Sequence, residues 1–149
     1  MVELTKREIS NIQLAMGLAE SASKLSKCVR SKVGGVIISQ SEGFYVGVNG
    51  MLPDEPNGCE IELDDGTLQT KEDVIHAEAN ALDKMHKEGV SANNCISVQT
   101  LSPCVGCTTR MRNIGIKLIV YKELYRCSEH LESKDYIMSY NEFLEKYVK

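Results

Sequence analysis

Short apolar runs rich in β-branched residues alternate along this chain with stretches that repeat apolar residues at three- and four-residue steps. Such runs predict buried strands, and such repeats predict helices. The predicted strands cover residues 32–39, 44–48, 95–100 and 117–121. The predicted helices cover residues 3–27, 75–87, 103–115 and 133–149. The order α-β-β-α-β-α-β-α predicts an α/β fold of three layers, an α-β-α sandwich with helices on both faces of a sheet.

Length and charge narrow the class of protein. A chain of 149 residues with 42% hydrophobic residues fits one domain, residues 1–149, with a single packed core. The net charge of −4 disfavours a nucleic-acid polymer as partner, because phosphate backbones attract basic proteins. No apolar stretch is long enough to predict a membrane span, and the polar start MVELTKREIS lacks a signal-peptide core. We therefore expect a cytoplasmic protein.

The chain has six cysteines, and two of them stand three residues apart at a predicted helix start. A disulfide framework needs an oxidising compartment, which nothing in the sequence supports. Cys104 and Cys107 follow Pro103 and would share one face of the first helical turn, where the helix dipole favours thiolates. They are interpreted as metal ligands, with a thioredoxin-like redox pair as the alternative.

His76 and Glu78 open another predicted helix. Zinc prefers thiolates and imidazoles, and a catalytic zinc site has three protein ligands and one water. His76, Cys104 and Cys107 supply three ligands with no convincing fourth, which predicts an open catalytic site with Zn²⁺ as cofactor. Zinc lowers the pKa of bound water to roughly 7, and Glu78 would carry its proton to a departing amine. The alternative is an ordinary core histidine beside inert thiols.

The motif H-x-E followed by P-C-x-x-C is the signature of zinc-dependent nucleobase deaminases. On these residues the chain resembles the cytidine and deoxycytidylate deaminase superfamily, and within it looks most like compact viral deoxycytidylate (dCMP) deaminases. The segments that carry the resemblance are CVRSKVGGVII, GVNGMLP, NGCE, HAEANAL, LSPCVGC and GIKLIVY. It implies a mixed five-stranded sheet flanked by helices, and a homo-oligomer, either a hexamer or a dimer. The implied reaction is hydrolysis of dCMP to dUMP and ammonia, in the host cytoplasm if the protein is viral.

The resemblance also implies roles for single residues. His76, Cys104 and Cys107 would bind zinc, and Glu78 would be the catalytic proton shuttle. The implied substrate contacts are Asn49 with the sugar or base, Tyr125 against the pyrimidine, and Ala77. A 5′-phosphate needs cationic and hydroxyl donors, and the local candidates are Ser26, Arg30 and Lys32. Their alternative reading is a solvated helix end.

Three features either depart from the family pattern or have no role that the resemblance assigns. Val48 stands where the family usually has Tyr or Trp, so we expect weak or absent regulation by dCTP and dTTP. Some relatives place ligands for an additional structural zinc at Cys28 and Cys59. No histidine lies between Cys59 and His76 to complete such a site, and His86 is only a distant candidate, so we expect two free thiols instead. Residues 50–73 form a predicted long acidic loop, interpreted as a solvated surface, a lid or a subunit contact.

Other functions stay open from the sequence. Within enzymes they are deamination of a modified dCMP, of a cytosine nucleoside, or of adenosine in tRNA. A different class is a catalytically silent zinc-binding scaffold, although such a scaffold has no need for the Glu78 carboxylate. The tail helix, rich in tyrosine, would either close the core or form an interface.

Overall fold

The computed structural model of the chain describes residues 1–52, 58–125, 129–132 and 134–148. The helices are α1 (Lys6–Ser23), α2 (Ala77–Lys87), α3 (Val105–Asn113) and α4 (Tyr140–Tyr147), with a short 3-10 helix at Glu129–Leu131. The strands are β1 (Gly34–Ile38), β2 (Phe44–Val48), β3 (Glu60–Glu62), β4 (Leu68–Thr70), β5 (Ile96–Leu101), β6 (Leu118–Glu123) and β7 (Ile137–Ser139). Among the described residues no helix is long and apolar enough to cross a membrane.

The central sheet has five strands in the order β2-β1-β5-β6-β7. β1 runs antiparallel to β2 and β5, whereas β5, β6 and β7 are parallel, so the sheet is mixed. Successive residues of a strand face opposite sides. Val36 packs with α1 and α4 on one face, and Ile37 packs with α2 and α3 on the other. The predicted three-layer α/β fold is confirmed.

One glycine sets how closely α2 approaches the sheet. A Cβ atom at Gly47, in β2, would lie 2.2 Å from the Ala77 carbonyl oxygen and 2.6 Å from the Ala81 nitrogen. Any larger residue would therefore push the first turn of α2 away from β2. The strand fixes the start of α2, which carries two of the predicted site residues.

The predicted loop at residues 50–73 is wrong in part, because β3 and β4 form an antiparallel hairpin within it. Gly66 supplies the turn with a φ of +83°, a conformation that suits glycine. The two short strands are largely exposed, which explains why no apolar alternation predicts them. Pro53, Asp54, Glu55 and Pro56 of this segment lie outside the described residues.

The predicted tail helix begins later than its apolar spacing suggests. Ile137–Ser139 form β7, which pairs in parallel with β6 and supplies the fifth strand. Ser139 caps α4, since its hydroxyl accepts the Glu142 N–H and the Glu142 carboxylate accepts the Ser139 N–H. The capping box therefore starts the helix at Tyr140, and the residues before it extend the sheet.

The expectation of free thiols at Cys28 and Cys59 is wrong, because the structure joins them in a disulfide. The β3–β4 hairpin brings Cys59 back against the segment before β1. His86, the distant candidate for a second metal site, lies in the last turn of α2.

Candidate active site and metal centre

The predicted zinc ligands lie at the starts of two neighbouring helices. His76 is the N-cap of α2, and Cys104 is the N-cap of α3, where its sulfur accepts the Cys107 N–H at 3.4 Å. The entry into α2 is held by a bridge between Gly50 and Ile75, with N–H···O distances of 3.0 and 2.8 Å. Both helix starts present the positive end of a helix dipole to the ligands, which favours thiolate sulfur.

The side chains of His76, Cys104 and Cys107 converge on a common point. The His76 Nδ1 atom lies 3.3 Å from Cys107 Sγ and 3.6 Å from Cys104 Sγ. All three ligand atoms lie within 4.8 Å of one another. Tetrahedral zinc with ordinary Zn–S and Zn–N bonds would separate nitrogen from sulfur by about 3.6 Å. The three residues therefore fit a zinc ion.

The two cysteines are electrostatically unequal. Hydrogen bonds from the Cys107 thiol and from His76 lower the pKa of Cys104 to about 3. The same bond to Cys104, together with burial, raises the pKa of Cys107. The hydrogen bond with Cys104 also raises the pKa of His76. One negative charge is thus already shared within the cluster, and a divalent cation would take both sulfurs as thiolates and displace the shared protons.

Glu78 lies beside the three-residue cluster. Its side chain is only 4% exposed, and its Oε1 atom lies 3.9 Å from His76 Nδ1. Burial raises the pKa of this carboxyl group, so it holds a proton more readily than an exposed glutamate does. A buried carboxyl group next to a metal cluster suits proton transfer.

The cluster opens into a cavity of about 160 Å³. A second cavity of about 300 Å³ adjoins it and shares Asn49, Thr70, Val74 and Tyr125 with it. The first cavity is lined by Ser31, Val33, Asn49, Thr70, Val74, His76, Ala77, Glu78, Leu101, Ser102, Cys104 and Tyr125. The structure therefore brings Asn49, Ala77 and Tyr125 to the same cavity as the metal cluster.

Asn49 is held rigidly. Its Oδ1 atom accepts the Ser26 hydroxyl at 2.7 Å and the Val33 N–H at 2.9 Å, while its Nδ2 atom donates to the Ser31 carbonyl at 2.8 Å. An amide nitrogen has two N–H groups, so one stays available for the cavity. The neighbouring Val48 carbonyl accepts the Asn80 amide at 2.6 Å.

The three phosphate candidates take different positions. Arg30 lines the second cavity, where its guanidinium donates to the Thr70 hydroxyl at 3.1 Å. Ser26 is buried, and Lys32 donates to the Ser26 carbonyl at 2.7 Å. Neither Ser26 nor Lys32 lines the two cavities, and their contact with a phosphate stays a prediction.

Sequence reasoning missed several residues that line the cavities. Ser102 is buried, accepts the Tyr125 N–H at 2.8 Å and donates its own N–H to Glu123, so it fixes the chain where Tyr125 leaves β6. Its position directly before Pro103 in the motif was a usable signal. Thr70 and Val74 gave none, because they lie in and after a hairpin that the sequence does not predict.

Comparisons with known proteins agree with this geometry. A family model described as the cytidine and deoxycytidylate deaminase zinc-binding region matches residues 9–123. The deoxycytidylate deaminase of Schizosaccharomyces pombe is 30% identical over 125 residues, which cover 79% of this chain. That of Mycobacterium phage D29 is 30% identical over 117 residues, which cover 71% of this chain and 89% of the phage protein.

A solved structure is similar to this chain over most of its length. The dCMP deaminase from the cyanophage S-TIM5, in complex with dCMP and dUMP, superposes with a TM-score of 0.77 at 31% identity. The match covers 91% of this chain and 99% of that chain. By contrast, this chain spans only 38% of the length of the deoxycytidylate deaminase of Schizosaccharomyces pombe. It also spans 38% of the length of the Saccharomyces cerevisiae deoxycytidylate deaminase, to which it is 31% identical.

Proposed function

This chain belongs to the cytidine and deoxycytidylate deaminase family, and on that premise we propose that it hydrolyses dCMP to dUMP and ammonia. The observation that carries the proposal is the buried Glu78 carboxyl group beside a His76–Cys104–Cys107 cluster with zinc-compatible spacing. Phage relatives named for this activity, one of them solved with dCMP and dUMP, support the choice of substrate.

In the proposed mechanism His76, Cys104 and Cys107 would hold zinc, and when bound the metal would supply an acidified water for attack on cytosine C4. Glu78 would carry the two protons of that water in turn at its carboxylate, one to ring N3 and one to the departing amino group. The C4–N bond breaks, ammonia leaves, and the oxygen stays on the ring as a carbonyl. The raised pKa of the buried carboxyl group suits a residue that must both accept and donate a proton.

The remaining cavity residues would orient the substrate. The available amide N–H of Asn49 would donate to a sugar oxygen, and the Tyr125 ring would lie against the pyrimidine. Ala77 is buried at the first turn of α2, so its backbone would meet an edge of the base. Arg30 in the second cavity would meet the 5′-phosphate, and its positive charge favours a nucleotide over a nucleoside.

We also propose that the protein acts in the cytoplasm as a homo-oligomer, either a dimer or a hexamer. The His76 side chain is 52% exposed and Val105, next to Cys104, is 58% exposed. A second copy over this face would shield the metal ligands from water. Light scattering of the zinc-loaded protein tests the assembly, and a monomer at micromolar concentration would contradict it.

The reaction is tested by giving the zinc-loaded protein dCMP, a 5-modified dCMP, deoxycytidine, cytidine and tRNA, and measuring ammonia. We expect release from dCMP at the highest kcat/KM. Glu78→Gln should keep the zinc content and lower kcat by about 10²- to 10⁴-fold, the usual contribution of general acid–base catalysis.

The panel also separates the alternatives. A faster reaction with a modified dCMP, a nucleoside or tRNA would replace dCMP as substrate while keeping the deaminase chemistry. No ammonia from any of them would favour the zinc-binding scaffold. Equal rates for Glu78→Gln and the unaltered protein would overturn the assigned role of Glu78.

A further inference from the structure

The segment that carries Arg30 has no regular secondary structure of its own. Residues 26–33, which we name the Arg30 loop, connect α1 to β1. The loop borders both cavities, through Ser31 and Val33 in the first and through Cys28, Arg30 and Ser31 in the second. An irregular segment at a substrate cavity needs contacts from elsewhere in the chain to keep one conformation.

Asn49 holds Ser26, Ser31 and Val33, whereas the contacts of Val29 and Arg30 come from the β3–β4 hairpin. The Glu60 carboxylate accepts the Val29 N–H at 3.0 Å and the Arg30 N–H at 2.9 Å. The Arg30 guanidinium then donates to the Thr70 hydroxyl at 3.1 Å, across the hairpin from Glu60. The disulfide between Cys28 and Cys59 joins the residues that precede these partners. Backbone and side chain of Arg30 are therefore both fixed by the hairpin.

We propose that Glu60 is a positioning residue that holds Arg30 at the second cavity and thereby sets the preference for a nucleotide over a nucleoside. The inference rests on the proposed function, since it assigns the phosphate recognition of the same site. Glu60 acts through Arg30 and has no contact of its own with the reacting atoms.

The chemistry of the contact supports this role. The Val29 and Arg30 N–H groups both donate to the Oε2 atom of Glu60, and the negative charge of the carboxylate strengthens both hydrogen bonds. Because the Glu60 charge is directed at these N–H groups, its repulsion of a nearby phosphate is reduced. Arg30 and Thr70 then present a guanidinium and a hydroxyl together, the donor types that bind a phosphate.

The two cavities adjoin, so one ligand can occupy both. They share Asn49 and Tyr125, the residues proposed to meet the sugar and the base. A nucleotide with its base at the metal cluster would therefore extend its 5′ group past Asn49 toward Arg30. A nucleoside ends before that point, so its binding should not depend on Glu60.

Glu60→Ala is compared with Glu62→Ala in the zinc-loaded protein, using dCMP and deoxycytidine as substrates. Glu62 lies on the same strand and is exposed, and among the described residues no hydrogen bond or ion pair joins it to the Arg30 loop. Its replacement by alanine removes the same charge. We expect Glu60→Ala to raise the KM for dCMP about tenfold, the effect of losing a hydrogen bond to a charged group, with little change in kcat. The KM for deoxycytidine and both constants of Glu62→Ala should stay within twofold, well below that shift.

Inhibition of dCMP turnover by dUMP and by deoxyuridine gives a second readout that needs no nucleoside turnover. Glu60→Ala should weaken the inhibition by dUMP and leave the inhibition by deoxyuridine unchanged. In an Arg30→Ala background the further effect of Glu60→Ala should disappear, because Glu60 acts through Arg30.

Three results would overturn the inference while leaving the proposed function intact. They are an unchanged dCMP preference in Glu60→Ala, an equal loss for nucleotide and nucleoside, and full additivity with Arg30→Ala. An equal shift in Glu62→Ala would show that net charge, and not position, is responsible. An unaltered protein that releases no ammonia from dCMP would instead overturn the proposed function.

Discussion

The metal corner and the substrate wall meet at one cavity but are built in different ways. The metal corner consists of His76, Glu78, Cys104 and Cys107, at the starts of two helices packed on the sheet. The substrate wall consists of the Arg30 loop, the β3–β4 hairpin and Tyr125, all outside the central sheet. The first region uses the core of the fold as its support, and the second depends on cross-links between loops.

Exposure separates Glu78 from the substrate wall, although the His76 side chain of the same corner is itself 52% exposed. Glu78 is 4% exposed, whereas Tyr125 is 43% and Val29 is 70% exposed. Buried packing fixes a side chain to within a small fraction of an ångström, while exposed segments open locally at low free-energy cost. The comparison indicates that the bond-breaking chemistry depends on the core and that substrate choice depends on the cross-links. Changes in the corner should therefore affect kcat, and changes in the wall should affect KM.

The largest effect is expected from removing a zinc ligand. Cys104→Ser should lose zinc and all measurable ammonia release, because two protein ligands hold the metal far more weakly than three. Zinc content by mass spectrometry and turnover of dCMP check the prediction. Cys95→Ala is the matched control, since Cys95 is a buried free cysteine that does not line either cavity. Full zinc and activity in Cys104→Ser would remove Cys104 from the metal corner.

An intermediate effect is expected from Gly47, which supports the corner without touching it. Gly47→Ala places a methyl group 2.2 Å from the Ala77 carbonyl oxygen, so the start of α2 must shift. Overpacking of this kind costs about 1–3 kcal/mol of stability. A displacement near 1 Å at Glu78 should lower kcat by about 10²-fold. Denaturant unfolding and steady-state kinetics check both parts.

Gly17→Ala is the control for Gly47→Ala. Among the described residues outside its own helical turn, none has an atom within 4 Å of a Cβ atom at Gly17, which is in the interior of α1. Alanine there should raise stability by roughly 0.5–1 kcal/mol and leave kcat unchanged. If Gly47→Ala lowers neither stability nor kcat relative to Gly17→Ala, the corner does not depend on the close packing of α2 on β2.

The same contrast explains what the sequence predicts well. The metal corner could be predicted because its residues form two short motifs, each at a helix start that carries its own signals, such as Pro103 before Cys104. The strands of the core could be predicted equally well, since β1 and the first four residues of β6 are apolar runs and β5 begins with alternating apolar and polar residues. In both cases a short sequence pattern is enough to indicate where its residues lie, at a helix start or in a buried strand.

The structure of the substrate wall could not be predicted, because it lacks such local patterns. The strands β3 and β4 are three residues each and largely exposed, so they lack the apolar alternation that marks a strand. Cys28 and Cys59 are 31 residues apart, and their pairing depends on the hairpin that the sequence does not predict. β7 fails for a related reason, because Ile137 also fits the helical spacing of the tail. Each miss concerns a structure fixed by distant partners.

The smallest catalytic effect is expected from breaking the cross-link of the wall. Cys59→Ser should leave zinc content and kcat unchanged and raise the KM for dCMP by only a few fold, because Glu60 still holds the Arg30 loop. Its thermal stability should fall, since a cross-link that closes a loop of this length contributes about 3–4 kcal/mol in the chain-entropy model. Reduction of the unaltered protein with dithiothreitol should lower its thermal stability and raise its KM for dCMP as the substitution does. In Cys59→Ser dithiothreitol should change neither quantity. A fall in kcat on reduction would show that the wall also supports the chemistry, and the division between the two regions would be wrong.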